Sequence, residues 1–123
     1  MKKEFLPYQI ALDIKSIGFD ELCFGYYGIE DELNIEISCN LDHNLIRRNF
    51  IAAPLYQQAY SWFRDKHNLD SWIYCPNESK GYFAIILKHK RFVSYHEQFN
   101  TYEEAELACL NKLIEIVKNG NKS

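Results

Sequence analysis

Apolar residues return every three or four positions in three stretches of the chain and at alternate positions in several of the stretches between. Ile10, Ala11, Ile14 and Ile17 make one stripe, which predicts a helix from Pro7 to Ile17. Pro7 suits the first helical position, where no N–H is required. Gly18 then follows as a residue that accepts positive φ, with Phe19 placed to fold back on Ile14 in a Schellman cap. A second stripe of Leu55, Tyr56, Ala59, Trp62 and Phe63 predicts a helix from Pro54 to His67, stopped by Asn68. The third runs through Ala105, Cys109, Leu110, Leu113, Ile116 and Val117. Thr101 and Glu104 open it as a capping box. Lys118-Asn119-Gly120 is expected to close it with a cation and a left-handed glycine, and residues 119–123 are expected to fray.

Strands are expected between these helices. Leu22–Tyr27 comes first. Leu33, Ile35, Ile37 and Cys39 alternate with Asn34, Glu36 and Ser38, the pattern of a half-solvated strand. Leu45–Ile51 is a third strand, and Ser71–Cys75, Tyr82–Lys88 and Phe92–Gln98 form a second group of three.

The two groups share wording. Tyr8-Gln9-x-Ala11 matches Tyr56-Gln57-x-Ala59 at an offset of 48, and Gly18-Phe19-Asp20-x-Leu22-x-Phe24 matches Asn68-Leu69-Asp70-x-Trp72-x-Tyr74 at an offset of 50. Gly and Asn are the residues that most readily take a left-handed conformation after a helix. The expected fold is therefore α+β: a single domain over 1–123, built of two α-β-β-β pseudo-repeat units at about 6–52 and 53–118. A C-terminal helix and antiparallel sheet with helices mainly on one face complete it. Duplication and convergence on one helix-to-strand turn both account for the match.

Two resemblances attach to these residues. The order α-β-β-β-α over Pro54 to Lys118 resembles that of double-stranded-RNA-binding domains. The likeness is one of fold, because Thr101-Tyr102-Glu103-Glu104-Ala105-Glu106 is acidic where that family opens its last helix with lysines. The wording Ala53-Pro54-Leu55-Tyr56-Gln57-Gln58-Ala59, Trp62-Phe63-Arg64, Thr101-Tyr102-Glu103-Glu104-Ala105 and Lys112-Leu113-Ile114-Glu115-Ile116-Val117-Lys118 is similar to a group of small uncharacterised proteins encoded by phages and mobile elements of gut bacteria. That resemblance implies a bacterial or phage origin and a cytoplasmic location, and no activity.

Composition narrows the chemistry. The 123 residues carry 14 Lys+Arg against 17 Asp+Glu, a net charge of −3, with 47% hydrophobic and 25% charged residues. These values exclude a disordered chain and a strongly basic polynucleotide coat. No apolar run is long enough to span a bilayer, so no membrane partner is expected. Cys23, Cys39, Cys75 and Cys109 include no CxxC pair, and Met1-Lys2-Lys3-Glu4 does not open a signal peptide. Reduced, mostly buried thiols in a cytoplasmic protein are expected, with Cys75 the most exposed.

The histidines at 43, 67, 89 and 96 lack the paired spacing of a zinc site, and no phosphate-loop, HExxH or nucleophile-elbow motif occurs. No catalytic residue, metal ligand or cofactor is assigned. One constellation remains, a basic–aromatic hairpin near residues 80–95: Lys80, Lys88, Lys90 and Arg91 interleaved with Tyr82 and Tyr95. Cations on phosphates and rings under bases are the means by which a sheet holds single-stranded nucleic acid, although Lys-rich hairpin tips also serve only solvation and edge protection.

The function expected from these residues is that of a non-enzymatic small accessory protein binding another macromolecule. The aromatic content of 15% favours a protein partner, and the net charge of −3 disfavours nucleic acid. Nucleic-acid binding through the hairpin is the alternative. A small enzyme with no recognisable motif is the third reading, and it would need a deep pocket with convergent polar groups.

Overall fold

The computed structural model of the chain describes residues 4–21, 23–28, 32–35, 51–76, 81–95 and 98–120, with backbone alone at 94 and 95. Among the described residues three helices, α1 (Tyr8–Ser16), α2 (Tyr56–His67) and α3 (Tyr102–Gly120), and two antiparallel three-stranded sheets give an α+β fold. The strands are β1 (Gly25–Tyr27), β2 (Leu33–Ile35), β3 (Ile51–Ala53), β4 (Leu69–Tyr74), β5 (Phe83–Lys88) and β6 (Arg91–Tyr95). The chain divides into two compact units, Met1–Ala59 and Tyr60–Ser123, with the boundary inside α2.

In the first unit α1 ends as its sequence predicts. Gly18 has φ +107°, its N–H bonds the Lys15 carbonyl at 3.1 Å, and the Phe19 N–H bonds the Ile14 carbonyl at 3.1 Å. This is the Schellman pattern, and both Phe19 and Ile14 are buried. β1 is the middle strand, between β2 and β3, and α1 packs on β3. The Phe5 and Leu55 backbones form a bridge beside it, with the Leu6 N–H on the Pro54 carbonyl at 2.9 Å. Tyr27 sets its ring edge-on to Tyr8 at 5.5 Å and donates its hydroxyl to the Leu6 carbonyl. Gly25 brings its backbone against the Phe5 ring, where an added Cβ would lie 2.9 Å from a ring carbon. Two expectations shift here. Leu33, Asn34 and Ile35 are all half-buried, so the described part of β2 does not alternate between wet and dry faces. Ile51 belongs to a strand extending to Ala53, while 36–50, with the predicted ends at Cys39 and Leu45 and the thiol of Cys39, lie outside the described residues.

In the second unit the strands run as a meander, β4-β5-β6. The middle strand is therefore the second of three here and the first of three in the other unit, a difference in pairing behind the shared wording. Asn68 stops α2 at φ +57°, and Leu69 behind it is buried, as Phe19 is behind Gly18. α3 opens on the predicted cap, with the Glu104 N–H on the Thr101 hydroxyl at 3.1 Å. It continues through Gly120, which is helical and not left-handed, so the expected glycine stop at this position is corrected. Helix propensity at a terminal residue is too weak a force to require a break there.

Register fixes which side chains share a face of this sheet. Ile86 lies opposite Ser71 and Ala84 opposite Ile73, and α3 packs on β4 and β5. Ala84 and Ile86 are fully buried with Ala105, Cys109, Leu110 and Leu113 of α3. The Cys109 thiol hydrogen-bonds with Ser71 and Tyr60, and the Tyr60 hydroxyl donates to the Glu106 carbonyl at 2.7 Å. The opposite face carries Asp70, Trp72 and Tyr74 of β4 with their direct partners Leu87, Ile85 and Phe83 of β5.

Candidate functional site

The hydrophobic pattern of β5 explains why that second face matters. Phe83, Ala84, Ile85, Ile86 and Leu87 are apolar without interruption, so one set is buried and the other is left half-buried on the far side of the sheet. β4 adds large rings to that side. Trp72 is 46% exposed and Tyr74 37% exposed, and the Tyr74 ring lies 5.7 Å from that of Phe83. β6 adds Phe92, opposite Leu87 and 62% exposed. A register shift between Ile86 and Leu87 leaves Val93 as the extra residue of a bulge, also exposed. The result is an exposed aromatic and aliphatic surface about 20 Å long on a six-residue strand.

The hairpin at one end of this sheet is cationic, but Lys88, opposite buried Leu69, and its partner Arg91 lie on the α3 side of the sheet and not on the aromatic face. Lys88 pairs with Arg91, and His89 and Lys90 form the two-residue loop between them. Both loop residues have positive φ, 51° and 66°, the requirement of the tight hairpin turn that matches strand twist. Asn-Gly satisfies that requirement without strain, whereas a side chain with a full Cβ costs roughly 1–2 kcal/mol per left-handed residue. The chain thus places His89 and Lys90 where folding alone would select other residues. The His89 N–H bonds the Asn68 carbonyl at 3.3 Å, tying the turn to the end of α2. There Arg64, Asn68, Asp70, His89 and Lys90 line an open depression of about 380 Å³. A second, of about 200 Å³, lies among His67, Leu69, Lys88, Ile116, Val117 and Gly120. Both α2 and α3 therefore end here, and Arg64, Lys66 and Lys118 in their last turns complement the negative helix ends. The field remains felt: burial first, and Lys88 second, lower the proton affinity of His67. The acidic first turn of α3, Glu103 and Glu104, sits at the other end of the unit.

The residues singled out from the sequence fall into three groups. Lys88, Lys90 and Arg91 come together at the hairpin. Tyr82 does not join them. It pairs with Phe99 at the far end of β5, with N–H to carbonyl bonds of 2.9 Å in both directions, and its ring meets Tyr102 of α3 edge-on at 6.1 Å. The backbone of Tyr95 pairs with Ile85 in mid-sheet, and Lys80 lies outside the described residues. Sequence reasoning missed Trp72, Tyr74 and Arg64 as part of this region. The alternation Asp70-Trp72-Tyr74 was the available signal for the first two, since it opposes the buried Leu69.

Other chemistry is weakly equipped. Burial pushes the Cys23 thiol up to about 12, with Glu21 adding to the rise, and pushes Cys109 up to about 11. Both are thereby removed from nucleophilic use at neutral pH. Cys75 is exposed, as expected, and among the described residues no disulfide joins Cys23, Cys75 and Cys109. Among the described residues no three His, Cys, Asp or Glu side chains gather as a metal site, and no helix is long and apolar enough to cross a membrane. Compared with family models, curated proteins and solved structures, the chain matches none.

Proposed function

We propose that this chain is a non-enzymatic accessory protein that binds another macromolecule through the outer face of β4-β5-β6. The observation that carries the reading is the row Trp72, Tyr74 and Phe92, three large rings exposed on one face of a sheet whose other face is filled. Exposed aromatic surface of this kind is typical of recognition sites. An enzyme is less well supported, because the two depressions described are open and the buried thiols are held protonated. The similarity to phage and mobile-element proteins supports a bacterial cytoplasmic setting, in which free thiols persist.

The wild-type chain and a variant carrying Trp72→Ser, Tyr74→Ser and Phe92→Ser are immobilised and exposed to bacterial lysate, with and without nuclease. The reading requires that the wild type retain a macromolecule that the folded variant does not. Equal retention by both removes the outer face from the account.

A further inference from the structure

The occupant of the outer face follows from its area, its charge and its hydrogen-bonding groups, and this step rests on the reading just proposed. Trp72, Tyr74 and Phe92 are 46%, 37% and 62% exposed. With the half-buried Phe83, Ile85 and Leu87 between them, they offer roughly 400 Å² of surface, taking about 150–250 Å² for a whole ring side chain. Two copies face to face would bury about 800 Å² in all, short of the roughly 1,200 Å² at which specific stable interfaces begin. A folded partner with a matching flat face meets the same limit. A short extended segment does not, because that much surface is enough to cover it.

Strand alternation puts Asp70 on this face, opposite Leu87, and puts Lys88 and Arg91 on the other. The one charge on the face among the described residues is thus the Asp70 carboxylate at the hairpin end, which gives an anionic strand or an acidic peptide nothing to pair with. An uncharged run is the chemical match. The Trp72 indole N–H can only donate, and Tyr74 adds a hydroxyl. Among the described residues neither makes a hydrogen bond within the chain. A helix has already paired its backbone carbonyls, and an extended strand adds to a sheet edge and not to a face. A polyproline II run has no internal hydrogen bonds, so its carbonyls all remain to accept.

We propose that the outer face of β4-β5-β6 binds a proline-rich segment of a protein partner in the polyproline II conformation, with pyrrolidine rings packed on Phe92, Trp72 and Tyr74 and carbonyls accepting from the Trp72 indole and the Tyr74 hydroxyl. Phe92 lies level with Leu87, Trp72 with Ile85 and Tyr74 with Phe83, so the three rings run obliquely across the sheet. From Phe92 to Tyr74 the row covers two strand spacings across and four residues along, about 16 Å. Five residues of polyproline II span about that length at roughly 3.1 Å each. Such a run is stiff before it binds, so little ordering entropy is lost against a small surface.

The test uses the full chain and a fluorescein-labelled ten-residue polyproline peptide, read by fluorescence anisotropy, with an alternating Gly-Ser peptide of the same length alongside. The small surface sets the expected Kd at about 100 µM, about tenfold tighter than for the Gly-Ser peptide. Affinity should change by less than about twofold between 50 and 200 mM salt, because no charge pairs form. Trp72→Leu weakens binding about fivefold or more, and Trp72→Phe, which keeps a ring and loses the N–H, falls between that variant and the wild type. Phe92→Leu, at a more exposed position, carries the same test should the first variant lose its fold.

No binding by the folded wild type at about 2 mM polyproline overturns the proposal. So does equal binding of the Gly-Ser peptide, or binding that both leucine variants keep in full. If no polyproline binds while the triple serine variant still loses a macromolecule from lysate, this proposal fails and the outer face keeps its role. Equal retention from lysate with no polyproline bound removes both.

Discussion

Replacing His89-Lys90 by Asn-Gly should stabilise the protein. Both residues are held at positive φ, 51° and 66°. Removing the Cβ at position 90 relieves roughly 1–2 kcal/mol, from which the greater freedom of glycine in the unfolded chain takes back about 0.4–1 kcal/mol. Asn tolerates the left-handed region better than His and adds a few tenths to about 1 kcal/mol. The sum for H89N/K90G is about 1–2 kcal/mol, or about 3–8 °C in melting temperature for a chain of this length. Trp62 and Trp72 both lie in the second unit, so tryptophan fluorescence during urea or thermal unfolding reports the part of the chain that contains the turn. A variant no more stable than wild type would refute the strain.

Four further outcomes are expected. Gly81 has φ +74°, and a Cβ there would collide with the Phe99 carbonyl oxygen that accepts from Tyr82, so Gly81→Ala should lose about 2–4 kcal/mol in urea unfolding, or fail to fold. Gly25→Ala should lose about 1–3 kcal/mol through the clash with the Phe5 ring, and a double-mutant cycle with Phe5→Leu should recover part of it. Because the proton affinity of His67 is lowered in the folded chain, unfolding takes up a proton; the stability owed to the neutral ring is present above the ordinary histidine pKa of about 6.5 and is lost as pH falls through the window down to the lowered value. A His67→Gln variant should therefore show a flatter stability profile between pH 5 and 7. In a Cys39→Ser background one thiol, Cys75, should react promptly with a thiol reagent, while Cys23 and Cys109 should react only on unfolding.

The elements were legible where local physics determines them. Gly18 and Asn68 declare two helix ends because few other residues take positive φ, and the structure has both left-handed. Thr101 and Glu104 declare the start of α3 because orphan N–H groups need an oxygen. Pairing was not legible. The same helix-strand-strand-strand order supports a middle strand in either first or second place, and the two units differ in this. Long-range register decides it, and no local signal encodes register. The site was half legible for the same reason. Lys88, Lys90 and Arg91 are neighbours in sequence and stayed neighbours in the fold. Tyr82 is six residues from Lys88, so the strand carries it about 20 Å away. Trp72 and Tyr74 are distant in sequence and reach the site only through their pairing with Ile85 and Phe83.

The two indole N–H resonances offer the most direct measurement. Trp62 is buried and Trp72 is exposed, so a proton–nitrogen NMR titration with the macromolecule that the wild-type chain retains carries its own control. The account predicts that the Trp72 indole signal and the backbone amides of Trp72, Tyr74 and Phe92 move together and saturate, with Trp62 and the first turn of α3 unmoved. Shifts confined to α3 or to the first 59 residues, or none at saturation, would contradict it.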